Sequence, residues 1–271
     1  MEEMTNDPWV IFSLQSERYA VGSQYVQTMV AMPDLVELPA QPPHVRGVIN
    51  LRGQVTPLTD LRRRLGMSSY LDTINSQIEM LEERQRDHLN WLNELKASVQ
   101  EERPFTLVTD HHKCKFGQWY DSYAPRNITE AQLLKQFDRP HQRIHHVAIR
   151  VAELLTRGKR DKAHALIEET RDNELSEMID LFRTFIDMTR KQAAHEIAMI
   201  LVHKERRAAI SVDSVMSVEK LDQASFEAMP SGLGDTANSL ASFIGKSGKD
   251  SSLVYLLDAE KIIGETHTDC R

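Results

Sequence analysis

The feature that most constrains the fold is a change in hydrophobic period near residue 70. Between Ile74 and Val99, the residues of one stripe recur at alternating steps of four and three, which is the spacing of one face of an α-helix. The stripe includes Gln85 and His88, and Arg103-Pro104 follows its end. This pattern predicts an amphipathic helix of about eight turns, too long for any strand.

Further helices are predicted downstream. Apolar residues follow Pro140 at helical spacing, and a proline suits the first turn of a helix, so a helix is expected to begin there. Another stripe runs from residue 163 to about 191, after a turn around Gly158. Together with a shorter helix that carries Cys114, these segments predict a four-helix bundle, because short connections place successive helices side by side.

Segments of strand character lie on both sides of these helices. Val45–Leu51 and residues 54–58 flank Arg52-Gly53, which is typical of a β-hairpin, and Pro57 favours an edge or a bulge of the sheet. Residues 23–30 are interpreted as a short helix, and residues 60–66 as a helical turn that ends on glycine. The other predicted strands are 9–14, 18–21, 196–202, 207–210 and 251–257.

The two strand-rich segments are similar to each other. At an offset of 189 residues, Arg18, Val21, Val26 and Met29 fall on Arg207, Ile210, Val215 and Val218. At an offset of 198, Val55, Leu58, Asp60, Leu65 and Gly66 fall on Leu253, Leu256, Asp258, Ile263 and Gly264. The chain is therefore predicted to be an α+β protein. A β domain of two related parts, residues 1–69 and 193–271, is interrupted by a helical domain, residues 70–192.

Composition excludes several classes of protein. The net charge of −7 argues against a nucleic-acid partner, because phosphate binding needs a basic surface. No apolar run approaches the roughly 18 residues of a membrane span, and the acidic N-terminus lacks the apolar core of a signal peptide. Two cysteines make no disulfide framework. We therefore expect a reduced, cytoplasmic protein without membrane insertion.

One cysteine and three histidines form a candidate metal site. His141 and His145 are four residues apart and share one face of a predicted helix, while His88 and Cys114 come from two other helices. One thiolate and three imidazoles complete a tetrahedron for zinc, and four protein ligands leave no open position for hydrolytic water. Trp91 and Trp119 lie close to these residues in sequence, where they either shield the metal or pack in the core.

Each of these residues has an ordinary explanation when taken alone. A histidine in an apolar stripe is usually bonded to a core neighbour, and a single cysteine usually behaves as a small buried hydrophobe. Two other kinds of protein remain open, namely a metal-dependent enzyme or haemerythrin-like iron protein, and a scaffold with purely structural zinc. The proposed ligand set contains no carboxylate, which disfavours a di-iron site.

The motifs around the four residues resemble the chemoreceptor zinc-binding (CZB) domain. His88-Leu89-Asn90-Trp91, then Cys114-Lys115-Phe116-Gly117-Gln118-Trp119, then His141 and His145 match that family's pattern, with gaps of 26 and 27 residues between the successive ligand positions. The resemblance implies that His88, Cys114, His141 and His145 bind zinc in a helical bundle. It also implies a response to zinc or to an oxidant at Cys114.

The segment from Arg46 to Arg62, which includes Asn50-Leu51-Arg52-Gly53, resembles the signature of the chemotaxis coupling protein CheW. That family implies two SH3-like β-barrels and a non-catalytic adaptor between chemoreceptors and the histidine kinase CheA. Arg46, Asn50, Arg52 and Gly53 are the expected partner interface, and a homodimer through the helical bundle is left open. In contrast to the family's uninterrupted domain, about 120 residues separate the two halves here.

Overall fold

The structure is a computed structural model that describes residues 7–229 and 240–268. Contacts divide the chain into two compact units, one formed by residues 1–73 and 192–271 and the other by residues 74–191. The domain boundaries predicted at residues 70 and 192 lie close to this division and stay a prediction. Among the described residues, no helix has the length and apolar character needed to cross a membrane.

The first unit, here the β unit, is built from two sheets. Its strands are β1 Trp9–Leu14, β2 Glu17–Gly22, β3 Val26–Ala31, β4 Leu35–Val36, β5 Val45–Leu51, β6 Gln54–Asp60, β7 Ile197–His203, β8 Arg206–Val212, β9 Ser214–Glu219, β10 Glu227–Ala228, β11 Ala241–Lys246 and β12 Leu253–Leu257. Within the described residues, one six-stranded sheet has the order β10-β11-β12-β2-β1-β9 and the other the order β4-β5-β6-β8-β7-β3.

The sequence repeat is visible as a symmetry of strand order. If β1–β3 correspond to β7–β9 and β4–β6 to β10–β12, the order of one sheet becomes the order of the other. Each sheet therefore takes strands from both halves of the chain. In each sheet the halves are joined by one parallel pair, β12–β2 or β6–β8, and by one antiparallel pair, β1–β9 or β3–β7. Neither half can complete a sheet alone, so the two halves form one folding unit. The inserted helices separate these halves along the chain, while their strands remain paired in the sheets.

The repeat extends to the helices that follow corresponding strands. Asp60 caps the helix α1 (Leu61–Arg64) by accepting from the Arg63 N–H at 3.0 Å. At the equivalent place in the second half, Asp258 accepts from the Glu260 N–H at 3.0 Å. Asp258 directly precedes the last helix, Ala259–Thr268. A carboxylate at this position satisfies N–H groups that the first helical turn leaves free, which explains why both repeats carry aspartate there.

The predicted hairpin at Arg52-Gly53 is confirmed. Leu51 pairs with Gln54, and the two turn residues have φ angles of +54° and +81°. Two consecutive positive φ angles match the twist of the flanking strands. Pro57 pairs with Val48 of β5 but lies before the stretch of β6 that pairs with β8, so its missing N–H costs no bond of that ladder.

The core of the β unit consists of apolar side chains from the strands of both sheets and from α1. Its fully buried side chains include Phe12, Leu14, Leu58, Leu61, Met199, Leu201 and Ile210. A buried polar network lies beside it. Arg62 donates from Nε to Asp213 Oδ1 at 2.7 Å and from Nη1 to Thr73 Oγ1 at 3.1 Å, and its guanidinium lies 5.2 Å from the centre of the Tyr70 ring.

The second unit is helical. Its helices are α2 Tyr70–Gln100, whose first turn belongs to the β unit, α3 Lys115–Ser122, α4 Ile128–Thr156, α5 Arg160–Thr170 and α6 Ser176–Gln192, and a π-helical segment at Arg171–Leu175 joins the last two. With α5 and α6 taken as one interrupted helix, this agrees with the predicted insertion of about four helices. The core of the unit contains the fully buried rings of Phe116, Phe137, Phe182 and Phe185.

Two local predictions were wrong. Residues 23–30 form a 3₁₀ turn at Ser23–Tyr25 followed by β3, because strand pairing with β7 outweighs local propensity. Pro140 does not begin a helix, since α4 starts at Ile128, where the Asn127 side chain accepts from the Glu130 N–H at 2.9 Å. Pro140 lies inside α4 with its ring buried, and the apolar face around it keeps the helix continuous despite the lost hydrogen bond.

Candidate metal centre

His88 lies on the buried face of α2, between Leu81 and Leu92. Its Nδ1 is 2.7 Å from the carbonyl oxygen of Arg84, one turn earlier on the same helix. Because a carbonyl can only accept, Nδ1 carries the proton and Nε2 keeps a lone pair. Nε2 is buried and has no hydrogen-bond partner in the described part of the chain.

Cys114 was expected within a short helix, and it lies instead at the N-cap of α3. Its Sγ accepts from the Gly117 N–H at 3.2 Å and is 3.2 Å from His141 Nε2. A sulfur at an N-cap faces the positive end of the helix, which favours the thiolate. The thiol also contacts the His111 carbonyl at 3.3 Å.

His141 and His145 are both buried on one face of α4, as the four-residue spacing predicted. The neighbouring His146 is exposed, because successive positions on a helix point in different directions. His145 Nδ1 is 3.1 Å from the Val108 carbonyl oxygen, so its Nε2 is also left with a lone pair. That Nε2 is buried without a partner among the described residues.

The four predicted ligands converge. One potential ligand atom from each of His88, Cys114, His141 and His145 lies within 4.8 Å of every other. Unpaired buried nitrogens are costly unless something satisfies them, and two of the three histidines present one here. Three imidazoles and a thiol fit the donor set of a closed zinc site, and the main-chain carbonyls that hold the ring N–H groups of His88 and His145 fit its outer support.

The electrostatics of the cluster also suit a cation. Burial lowers the pKa of His141 to about 2 and that of His145 to about 4, with the nearby His88 adding to both effects. Burial lowers the pKa of His88 in the same direction. All three imidazoles are therefore neutral near pH 7 and available as ligands. Burial raises the pKa of the Cys114 thiol and outweighs the hydrogen bond from the Gly117 N–H, which lowers that pKa. A cation would therefore be needed to hold Cys114 as thiolate.

Aromatic rings enclose the cluster. Phe116 lies 5.0 Å from His141 and 5.8 Å from His88, measured between ring centres, and the Phe182 ring is 6.2 Å from that of His88. Trp91 packs directly on His145 at 4.8 Å. Trp119 packs on Phe116 and Phe185 instead, at 5.6 and 5.9 Å, so the two tryptophans differ in their distance from the ligands.

Sequence reasoning missed the reason for a glycine in the motif around Cys114. A Cβ atom at Gly117 would lie 1.8 Å from the carbonyl oxygen of His111, so the first turn of α3 can approach the preceding loop only with glycine there. It also missed Val108, whose carbonyl supports His145. A glycine three residues after Cys114 could have indicated a close approach between two backbone segments. Nothing about an exposed valine indicates that its carbonyl supports a histidine.

The residues predicted as a partner interface differ in their surroundings. Asn50, Arg52 and Gly53 are exposed at the β5–β6 hairpin. Arg46 is largely buried and donates to Glu196 at 2.6 Å, which links β5 to the residue before β7. The interface role of all four residues stays a prediction, and the pairing with Glu196 gives Arg46 a structural role in addition.

Comparison with known families agrees with this organisation. The model of the CheW-like domain matches residues 8–88 and 170–267, more than half of the chain. The chain belongs to the CheW-like family. The model of the chemoreceptor zinc-binding domain matches residues 88–152, so this CheW-like chain carries a CZB domain between its two matched segments. Both resemblances stated from the sequence are confirmed.

The chain also has similarity to individual proteins. The chain is 34% identical over 77 residues to the chemotaxis protein CheW of Bacillus subtilis (strain 168), and the match covers 28% of this chain and 49% of that protein, about half its length. The scaffolding protein TtCheW from Thermoanaerobacter tengcongensis has 14% identity and a TM-score of 0.43, with 93% of this chain and 88% of that chain covered. CheW-like proteins are non-catalytic scaffolds, in line with the expectation that this chain is not an enzyme.

Proposed function

We propose that this chain is a chemotaxis adaptor that couples chemoreceptors to the histidine kinase CheA and carries its own zinc-binding sensor. CheW family proteins couple receptors to CheA, and the β unit has the sheets of that family. The inserted helices supply what an ordinary adaptor lacks. The chain would act in the cytoplasm, where receptors of this kind meet their kinase, and a homodimer through the helical unit stays a prediction.

The observation that carries the sensor is the buried cluster of His88, Cys114, His141 and His145. His88 Nε2 and His145 Nε2 would bind the ion through lone pairs that no described group uses. The Cys114 sulfur and His141 Nε2, already 3.2 Å apart, would complete the set. A bound zinc would supply positive charge that holds Cys114 as thiolate, and would tie α2, α3 and α4 together.

Cys114 is the residue best suited to report an oxidant. Its side chain is half-buried, whereas the three imidazoles are buried, so it is the most accessible of the four ligands. A thiolate that reacts with hypochlorous acid loses two electrons and gains the oxygen atom, and chloride leaves. Sulfenic acid is a poorer donor to zinc than thiolate is. The cluster would then retain three histidines, and the start of α3 would lose its tie to α2 and α4.

A change in the helices would reach the β unit through the two segments of chain that connect them. Within the β unit, the hydroxyl of Tyr70 donates to the carbonyl of Gln192 at 2.9 Å, and Arg62 joins Tyr70 and Thr73 to Asp213, which precedes β9. These residues offer a route by which altered helix ends could disturb strands of the adaptor. The experiment below tests whether oxidation at Cys114 changes partner binding, which any such route requires.

The experiment measures coupling and metal together. Purified protein, with and without a zinc chelator, is used to capture CheA and receptor cytoplasmic fragments, and zinc release is followed after a small excess of hypochlorous acid. We expect wild type to release zinc and to change its partner binding, and Cys114→Ser to show a much smaller response. If wild type binds zinc, but oxidation changes neither its zinc content nor its partner binding, the zinc is structural and the sensor proposal fails. The adaptor proposal then still stands.

A further inference from the structure

The connection between α2 and α3, residues 101–113, covers one side of the metal-site cluster and is called the strap here. Two carbonyls of the strap contact candidate ligands, since the Val108 oxygen lies 3.1 Å from His145 Nδ1 and the His111 oxygen lies 3.3 Å from Cys114 Sγ. The strap is thus close to the site without contributing a ligand. Its position decides where two ligand side chains point.

The Val108 carbonyl has a second donor. The indole Nε1–H of Trp91 donates to the same oxygen at 2.8 Å, so one carbonyl accepts from both Trp91 and His145. A carbonyl oxygen has two lone pairs, and both are in use here. Trp91 is nearly buried on α2, one turn beyond His88, and the Trp91 ring also lies against His145.

The Val108 side chain does little to hold the strap. It is 46% exposed, and the neighbouring Leu107 is 42% exposed, so neither gains much from burial at this point. At this point of the strap, the hydrogen bond to Trp91 and the ring of Phe105, which packs on Trp91 at 5.1 Å, hold it to α2. The same tryptophan therefore anchors the strap through its N–H and through its face. Nearer its ends, Arg103 donates to Glu94 of α2 at 3.0 Å, and His112 Nδ1 lies 2.9 Å from Asp121 of α3.

We propose that Trp91 is a positioning residue of the metal site, acting through the Val108 carbonyl on His145. By fixing that carbonyl, Trp91 holds the proton of His145 on Nδ1 and keeps Nε2 directed into the cluster. Without the indole N–H, the carbonyl is free to move away, and His145 can adopt the other tautomer or rotate. The inference rests on the proposed zinc site and assigns to Trp91 a role that ring packing alone would not require.

Trp119 provides the matched control. It belongs to the same helical unit and packs on Phe116 and on Tyr123, at 5.6 and 4.6 Å. In the described part of the chain, no ring contact joins Trp119 to a ligand histidine, in contrast to Trp91. Replacing either tryptophan by phenylalanine keeps an aromatic ring and removes the indole N–H. Since Trp91→Phe also reduces the ring that packs on His145, the position of the proton on His145 is the readout that reports the loss of the N–H.

The first test compares the zinc affinity and the ligand geometry of the two variants. Trp91→Phe should weaken zinc binding, measured by competition with a chromophoric chelator, by about 10- to 100-fold, the usual effect of losing a group that orients a ligand. Trp119→Phe should stay within a few-fold of wild type. The absorption spectrum of the cobalt-loaded protein should change in Trp91→Phe and not in Trp119→Phe, because it reports ligand geometry. Equal affinities and spectra for the two variants would overturn the proposal.

Nitrogen-15 spectra of the metal-free protein separate this inference from the zinc proposal. In wild type, His145 should give the Nδ1–H form, and in Trp91→Phe a mixture of both tautomers. If wild type binds no zinc, the zinc-sensor part of the proposed function fails, and this spectrum still decides whether Trp91 positions His145. An unchanged His145 spectrum in Trp91→Phe would refute the positioning role. A similar unfolding midpoint for the two metal-free variants excludes general destabilisation as the cause.

Discussion

The hydroxyl of Tyr70 donates to the main-chain carbonyl of Gln192 at 2.9 Å, so the segment that leads into the inserted helices is bonded to the segment that leads out of them. Insertions are best accommodated where the two ends of the interruption lie close together. The bond joins two residues that are 122 positions apart. The β unit is therefore closed at the point of interruption, and this explains how it keeps two complete sheets although its halves are far apart in sequence.

The ion pair beside this bond should be important for stability. Arg62 and Asp213 are both largely buried, and removing one charge leaves the other without its partner. We expect Arg62→Met to lower the free energy of unfolding by about 3–5 kcal/mol. Urea unfolding of this variant, of Asp213→Asn and of the double variant measures the pair. The double variant should lose less than the sum of the single losses, and strict additivity would show that the two side chains do not interact.

The metal site can be tested with two adjacent histidines. His145 is buried in the cluster and His146 is exposed on the next position of the same helix. His145→Ala should lower the zinc content well below about one per chain and reduce thermal stability, since zinc binding contributes to folding. His146→Ala should retain both, and His141→Ala should behave like His145→Ala. Full zinc content in either of the two buried-site variants would show that the ligand set is wrong.

The metal-free protein should lose stability in mild acid. The pKa of His145 is lowered by burial to about 4, whereas an unfolded histidine has a value near 6.5. Between these values the unfolded chain binds the proton and the folded chain does not, so the free energy of unfolding falls as the pH drops below about 6.5 and is unaffected above it. This one histidine contributes up to about 3 kcal/mol by pH 4, at 1.36 kcal/mol per unit.

Chelator-treated protein, unfolded in urea between pH 7 and 5, provides the measurement. The His145→Gln variant is the control, because it removes one titrating group and should show a shallower decline over the same range. The window above pH 5 avoids most of the contribution from carboxylates, which titrate lower. A free energy of unfolding that does not change between pH 7 and 5 would contradict the expected burial of neutral histidines.

The glycine of the cysteine motif should be intolerant of substitution. In Gly117→Ala, the new methyl group would overlap the His111 carbonyl, which is backbone and cannot rotate away. We expect a loss of about 1–3 kcal/mol in unfolding free energy, with weaker zinc binding because Cys114 moves with the start of α3. Gly264→Ala is the control, since no described atom outside its own helix lies within 4 Å of a Cβ there and alanine favours the helix. Equal stability of the two variants would argue against close packing at Gly117.

The coupling surface can be tested at two hairpins with opposite expectations. Arg52 is exposed at the β5–β6 turn and Lys204 is exposed at the β7–β8 turn, and both have positive φ angles. Arg52→Glu should weaken binding to CheA or to receptors without changing the melting temperature or the zinc content, because an exposed charge selects partners more than it stabilises the fold. Lys204→Glu should bind normally. Unchanged binding by Arg52→Glu would remove that hairpin from the interface.

The candidate site was largely predictable because its signals are local. The four-residue step from His141 to His145, the helical stripe that contains His88 and the single cysteine in its motif each depend on near neighbours in sequence. What holds the ligands in place was not predictable. The support of His145 comes from the carbonyl of Val108, 37 residues away, and main-chain carbonyls have the same chemistry at every residue. The hydrogen bond from Trp91 likewise reaches the same carbonyl, 17 residues away.

The sequence alone determined the α+β class, the helical interruption, the hairpin at Arg52-Gly53 and the four candidate ligands. Each of these is read from local periods, turns and motifs and from their order along the chain, and backbone geometry leaves few choices for such local patterns. Only the tertiary structure decided that each sheet draws strands from both halves, that α4 runs through Pro140, and that Arg62 reaches Asp213. Those outcomes depend on packing between distant segments, where the burial of a whole face outweighs the preference of any single residue.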